Sequence, residues 1–158
     1  MKKLFFDLDG VIRDLHSMIV DWNPQYWDDP LPAGESIFDY FKRNPNHLIY
    51  AEPTEYYNVI PKEIPIITCQ PKDWRPYTAK WLKVYCPKAN VIYVDNPEEK
   101  FNYLGGDDLI VEDYPKFKDY SKIVLIDRPW NKEVKGCLRI SKPEQLERFI
   151  KDFYNENF

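Results

Sequence analysis

Cysteine is scarce and unpatterned in this chain. There are three, Cys69, Cys86 and Cys137, an odd number with no CxxC pair. This argues against a disulfide framework and a zinc site, and it fits a reducing cytoplasm. The two histidines, His16 and His47, show no ligand spacing. No apolar run approaches the length of a membrane span, and the lysines at the start precede too few apolar residues for a secretion signal. Blocks of like charge are missing too. The net charge is -4 and spread along the chain, which leaves no electrostatic footprint for non-specific binding to a nucleic-acid duplex. It does not exclude a small anionic substrate held by a few local cations. Internal repeats and low-complexity tracts are absent.

What is present describes an ordinary folded domain. Apolar residues make up 44% and charged residues 30% of 158 residues, enough to bury a core without covalent staples. Aromatics are abundant, with 5 Trp, 12 Tyr and 9 Phe. Short apolar runs recur at Leu4 to Leu8, Ile64 to Thr68, Val91 to Val94, Leu109 to Val111 and Ile123 to Ile126, with a shorter one at Cys137 to Ile140. They are runs rather than alternations, as expected of parallel strands covered on both faces. Pro76 opens a helical pattern through Trp81, Leu82 and Tyr85. Ser141-x-x-Glu144 forms a capping-box pattern ahead of a stripe at Leu146, Phe149, Ile150 and Phe153. Strand and helix in alternation predict a three-layer α/β fold.

The gap between the first two strands is too long for a simple crossover. It holds many aromatics, scattered prolines and two helix-like stretches, Ser36 to Lys42 and Thr54 to Ile60. A structureless loop of this length is uncommon. The expected organisation is therefore a main domain of residues 1–13 and 63–158 with an inserted unit of residues 14–62.

Chemistry concentrates at the strand ends, where open parallel sheets bind ligands. Asp7 ends the first strand, Thr68 the second, and Glu112 and Asp113 the fourth. Alone, such acids repel one another. A divalent cation such as Mg2+ relieves this, taking one or two carboxylates and substrate phosphate oxygens. Asp9, two residues after Asp7, is placed to act as acid and base on the same reacting group, and Gly10 permits a sharp turn out of the strand.

DLDGV, the apolar strand ending in Thr68, Lys100, and the Glu112-Asp113 pair resemble, in order, the four motifs of the haloacid dehalogenase superfamily. Within it, FFDLDGVIRD, IITCQP, NPEEKF and DDLIVEDYP most resemble the 5'(3')-deoxyribonucleotidase family. The resemblance spans essentially the whole chain. It implies a Rossmann-like core with a central parallel sheet and a small, largely helical cap inserted after the first strand. It also implies a Mg2+-dependent phosphatase acting on nucleoside monophosphates. Asp7 would be the nucleophile that forms an aspartyl-phosphate, and Asp9 the acid and base. Thr68 would hydrogen-bond the phosphoryl oxygens and Lys100 would neutralise their charge. Mg2+ would lie between Asp7, the main-chain carbonyl of Asp9, and Asp113.

Some residues depart from that pattern or leave two readings open. Glu112 stands where a second aspartate is more usual, as a metal ligand or as an acid behind the ligand. Asp107-Asp108 is a rival pair at the wrong end of its strand. Lys80 is a rival to Lys100. Pro71 follows Thr68 by three residues rather than two. Arg13 occupies a place often small in relatives, where it would contact substrate phosphate or pair with an acid of the cap. Trp22, Tyr26, Trp27 and Tyr56 are candidates to stack on a nucleobase, although aromatics in a small cap ordinarily fill its core.

Other functions remain open on the sequence. One is a phosphatase for another small ester or for a polynucleotide 3'-phosphate. Another, of a different class, is a non-catalytic module that binds a phosphorylated ligand. Asp9 speaks against a phosphoacceptor receiver domain, which has no need of an acid-base group there. The expected partner is a small phosphorylated substrate, with no membrane and no strong nucleic-acid signal. Nothing in the sequence fixes an oligomeric state.

Overall fold

A computed structural model describes residues 1–19, 21–26 and 28–155. Six strands form one sheet: β1 (Leu4–Phe6), β4 (Pro65–Cys69), β5 (Asn90–Val94), β6 (Leu109–Glu112), β7 (Ile123–Ile126) and β8 (Leu138–Ile140). The numbers β2 and β3 belong to a two-stranded antiparallel ribbon of Arg13–Asp14 and Glu52–Pro53. Every pairing in the large sheet is parallel, and the spatial order is β5-β4-β1-β6-β7-β8. The chain thus lays strands to one side of β1, then returns to lay the rest on the other. This is the doubly wound order, and β1 marks the point where its direction reverses. Phe6 is level with Ile66 on one side and Val111 on the other. Asp7, Thr68 and Glu112 therefore leave adjacent strands at the same end of the sheet.

The apolar runs explain the layering. Leu4 and Phe6 point to one face, where they join Trp81 and Leu82 of α3 (Arg75–Tyr85) and Leu146, Ile150 and Phe153 of α4 (Pro143–Asn155). Phe5, Ile67, Ile110 and Leu125 point to the other, against Phe117, Phe101, Tyr114 and Tyr120. That second face is covered by a 3-10 helix (Pro97–Tyr103) and an aromatic loop rather than by α-helices. Asn96 starts the 3-10 helix by accepting from the Glu98 N–H at 3.0 Å. Pro115 falls in the short β6 to β7 connection, where it opposes a helix.

The patterns for α3 and α4 hold. The expected Ser141–Glu144 box does not form the α4 cap. Gln145 Oε1 accepts from the Ser141 and Lys142 N–H groups instead, at 2.7 and 3.2 Å. No helix among the described residues is long and apolar enough to cross a membrane.

The long connection between β1 and β4 folds around a hydrophobic cluster of its own. It carries α1 (Ile37–Arg43) and α2 (His47–Tyr50). Ser36 Oγ caps α1, accepting from the Asp39 N–H at 3.1 Å. Leu15, Ile19, Trp22, Leu31, Ile37, Phe41, Leu48 and Ala51 pack together with Trp74, which precedes α3. The predicted helix from Thr54 to Ile60 shrinks to one 3-10 turn, Tyr57–Val59. Thr54 Oγ1 donates to the Val11 carbonyl at 2.5 Å and accepts from the Tyr56 N–H at 3.2 Å, which offers the backbone an alternative to helix. Tyr56 and Ile60 belong to the sheet's own cluster.

Candidate active site at the strand ends

β1 delivers Asp7 and β6 delivers Glu112 and Asp113 to one place. Ligand oxygens from these three buried acids lie within 4.8 Å of one another. Lys100, from the 3-10 helix before β6, is 3% exposed and reaches into the group. Its Nζ donates to Asp7 Oδ1 at 2.8 Å and to Glu112 Oε1. Glu112 Oε2 accepts from the N–H groups of Asp113 and Tyr114, at 3.1 and 3.3 Å. Both oxygens of Glu112 are thus engaged by the protein, which suits the reading of an acid behind the ligand. The rivals fall elsewhere. Lys80 lies in α3 and is exposed. Asp108 takes the N–H groups of Lys3 and Gly105, at 2.7 and 2.8 Å, at the opposite end of the sheet.

The electrostatics follow from three acids facing one lysine. Burial and the neighbouring Asp7 push the Glu112 carboxyl up to about 8, although Lys100 pulls the other way. Burial, with Asp7 and Glu112 beside it, raises Asp113 well above the ordinary carboxylate range. Burial works against the charge on Lys100, but Asp7 and Glu112 outweigh it and hold the ammonium protonated. Asp7, Glu112 and Asp113 could hold a divalent cation, whose charge would offset this excess of acid. Gly10 turns at φ +86°, and a Cβ there would fall 1.9 Å from Asp113 Oδ2. The turn after β1 has room for the Asp113 carboxylate only because residue 10 has no side chain.

Asp113 is braced from the far side. Trp130 Nε1 donates to its Oδ2 at 3.1 Å, and Asn131 Nδ2 donates to its carbonyl at 3.0 Å. Both residues come from the turn after β7 and were not singled out in the sequence. The available signal was a polar RPWN stretch following an apolar strand.

Asp9 sits partly exposed on the cleft floor and Arg13 grips it. Arg13 Nε and Nη2 donate to Asp9 Oδ1 and Oδ2 at 2.7 and 3.1 Å. Burial raises the Asp9 carboxyl, and the Arg13 charge offsets part of that rise. Thr68 is buried at the end of β4, its Oγ1 accepting from Gln70 Nε2 at 3.1 Å. That arrangement leaves the Thr68 hydroxyl hydrogen available as a donor. Cys69 also lines the cleft, but burial pushes its thiol up to about 11, away from the reactive thiolate.

Asp7, Asp9, Lys100, Glu112 and Asp113 form the floor of a cleft of about 420 Å³, with Thr68 buried behind its lining residues Cys69 and Gln70. Its walls are largely apolar and aromatic, with Phe38, Trp74, Tyr114 and Trp130 around the acids. Phe38 is 41% exposed and tilts against Trp74, centroids 5.7 Å apart.

The sequence candidates for substrate contact fare differently. Arg13 is fully buried and committed to Asp9, so it neither lines the cleft nor pairs with an acid of the inserted segment. Tyr56 is 2% exposed in the sheet's core, beneath the Arg128 guanidinium. Trp22 stacks on His16 at 4.8 Å and lines a neighbouring groove. Tyr26 is exposed and lines neither space. Trp27 lies outside the described residues. The aromatics that face the acids came from positions that carried no local signal.

Comparison with protein-family models and with curated proteins gives no match to this chain.

Proposed function

We propose that the chain is a Mg2+-dependent phosphatase of the haloacid dehalogenase type, acting on a nucleoside monophosphate, with residues 14–62 serving as a cap over the site. One observation carries the reading: Lys100 bridges Asp7 and Glu112 beside Asp113, at the ends of strands adjoining the point where the sheet order reverses. Asp7 and Asp113, with the Asp9 carbonyl, would hold the cation. When bound, Mg2+ supplies positive charge to the phosphoryl oxygens and keeps the acids ionised.

The residues divide the remaining work. An Asp7 oxygen attacks phosphorus, forming a P–O bond as the bond to the leaving oxygen breaks. Asp9 gives that oxygen its proton. Water then attacks phosphorus and gives a proton back to Asp9, the Asp7–phosphorus bond breaks, and inorganic phosphate leaves. Lys100 and the Thr68 hydroxyl stabilise the spread negative charge, which is most of what phosphoryl transfer requires of a protein.

The cleft favours a small substrate. Its volume falls in the usual range for such sites, about 300–1,000 Å³. Among the described residues that line it, Lys100 is the one Lys or Arg, and Asp95 lines it too. A polynucleotide end would call for a basic rail. Aromatic walls suit the planar face of a base.

The test is a panel of ribo and deoxy 5'- and 3'-monophosphates and simple phosphate esters, assayed for released phosphate with Mg2+ and with EDTA. Release with Mg2+, abolished by EDTA and by Asp7→Asn in a folded protein, is expected. Turnover by Asp7→Asn would end the proposal.

A further inference from the structure

Arg13 is 0% exposed, an unusual place for a guanidinium, and it bonds to three residues, Asp9, Leu48 and Thr78. Nε and Nη2 take the two Asp9 oxygens, as a fork matched to a carboxylate. Nη1 donates to the Leu48 carbonyl in α2 at 3.0 Å, and Nη2 also donates to Thr78 Oγ1 in α3 at 3.1 Å. The guanidinium lies 5.7 Å from the Trp81 ring. Trp81 Nε1 in turn donates to the Ala51 carbonyl at 2.7 Å, just past α2. Arg13 is thus a buried node that ties Asp9 to the inserted segment on one side and to the α3 layer on the other.

We propose that Arg13 is a positioning residue for the proton transfer by Asp9. This rests on the phosphatase reading above. Asp9 hangs on a turn of the backbone after β1, where its own torsions would let the carboxyl swing. The fork removes that freedom and leaves each carboxyl oxygen a lone-pair direction outside the fork for the leaving oxygen. Lysine, a point donor, cannot hold both oxygens in one plane. Because Nη1 is bonded to α2, the seating of the inserted segment sets the same geometry.

Leaving-group dependence separates this role from a structural one. An ester with a poor leaving group needs Asp9's proton as its P–O bond breaks; 4-nitrophenyl phosphate needs it far less. The values of kcat/KM for an alkyl phosphate, phenyl phosphate and 4-nitrophenyl phosphate are to be compared in wild type, Arg13→Met, Arg13→Lys and Thr78→Val. The expected result for both Arg13 variants is a loss on the alkyl ester at least tenfold greater than the loss on 4-nitrophenyl phosphate. Thr78→Val should move the same ratio a few-fold. Adding Arg13→Met to Asp9→Asn should change the remaining rate less than threefold, since the group it positions is already gone. If Arg13→Met does not fold, Arg13→Lys and Thr78→Val decide the question. Equal losses on all three esters, or independent effects of Arg13→Met and Asp9→Asn, would overturn the role of Arg13 and leave the phosphatase reading intact. A wild type that releases phosphate from none of the panel esters would remove both.

Discussion

Gly10 lies in the left-handed region against Asp113, and the two facts act together. Any side chain there is strained by the backbone, at about 1–3 kcal/mol. It also enters the space of the Asp113 carboxylate. Gly10→Ala should therefore lower the melting temperature and, separately, weaken Mg2+-dependent stabilisation, because the displaced acid is a proposed ligand. Thermal melts with and without Mg2+ read both. A variant that melts lower but keeps its full response to Mg2+ would detach Asp113 from the cation. Glu112 makes a second prediction at this scale, for the protein in EDTA. Its carboxyl is raised from 4.5 to about 8 in the folded state. The unfolded chain therefore gives up this proton first as pH rises. Between the two values the folded state holds more protons, and stability falls as pH increases. The EDTA-treated protein should melt progressively lower from about pH 5 to pH 8, and Glu112→Gln should flatten that slope. Mg2+ binding should release protons over the same window, since a cation beside Glu112 favours its ionised form. A slope unchanged by Glu112→Gln would mean that another group titrates there.

At the scale of elements, the 3-10 turn Pro129–Asn131 holds two strand ends together. Asn131 Nδ2 donates to the Ile126 carbonyl at 2.7 Å as well as to that of Asp113, and its Oδ1 accepts from the Arg128 N–H at 3.1 Å. Asn131→Ala leaves these buried groups unpaired, at about 1–3 kcal/mol for such a group. The expected result is a less stable protein whose Mg2+ affinity also falls, because the Asp113 backbone is no longer pinned; unchanged affinity would confine Asn131 to a structural role. No local pattern announces this element. The strands wrote themselves into the sequence as apolar runs, fully buried in β1 and β7 and partly exposed at the edges in β5 and β8, and each of those runs became a strand of the sheet. Asp7, Asp9, Thr68 and Asp113 were legible because each sits at or just beyond the end of such a run. Trp130, Asn131 and Phe38 were not, since their roles depend on which other segments fold beside them. Tyr56, a candidate base platform by sequence, is a core residue, because aromatic composition does not say which face a ring turns to. The Thr54 to Ile60 helix failed for a nearer reason, the Thr54 side chain bonding to the Val11 carbonyl and the Tyr56 N–H.

Across the whole molecule, the strand order makes the site possible. Asp7 and Asp113 are over a hundred residues apart in sequence, yet β1 and β6 are hydrogen-bonded neighbours. In an unfolded chain nothing keeps these acids together, so Mg2+ should bind the folded state far better and stabilise it by mass action. At a free concentration one hundred times its dissociation constant, the gain is about 2.7 kcal/mol. For a chain of this size that is roughly 5–10 °C in melting temperature, at about 2–4 °C per kcal/mol. Asp7→Asn and Asp113→Asn should each remove most of the shift, while Asp108→Asn, at the other end of the sheet, should retain it. Potassium chloride at matched ionic strength controls for screening of surface charge. If Mg2+ and the matched salt move the melt equally, the acids gathered at the reversal point bind no Mg2+ and the chemistry built on it fails with them.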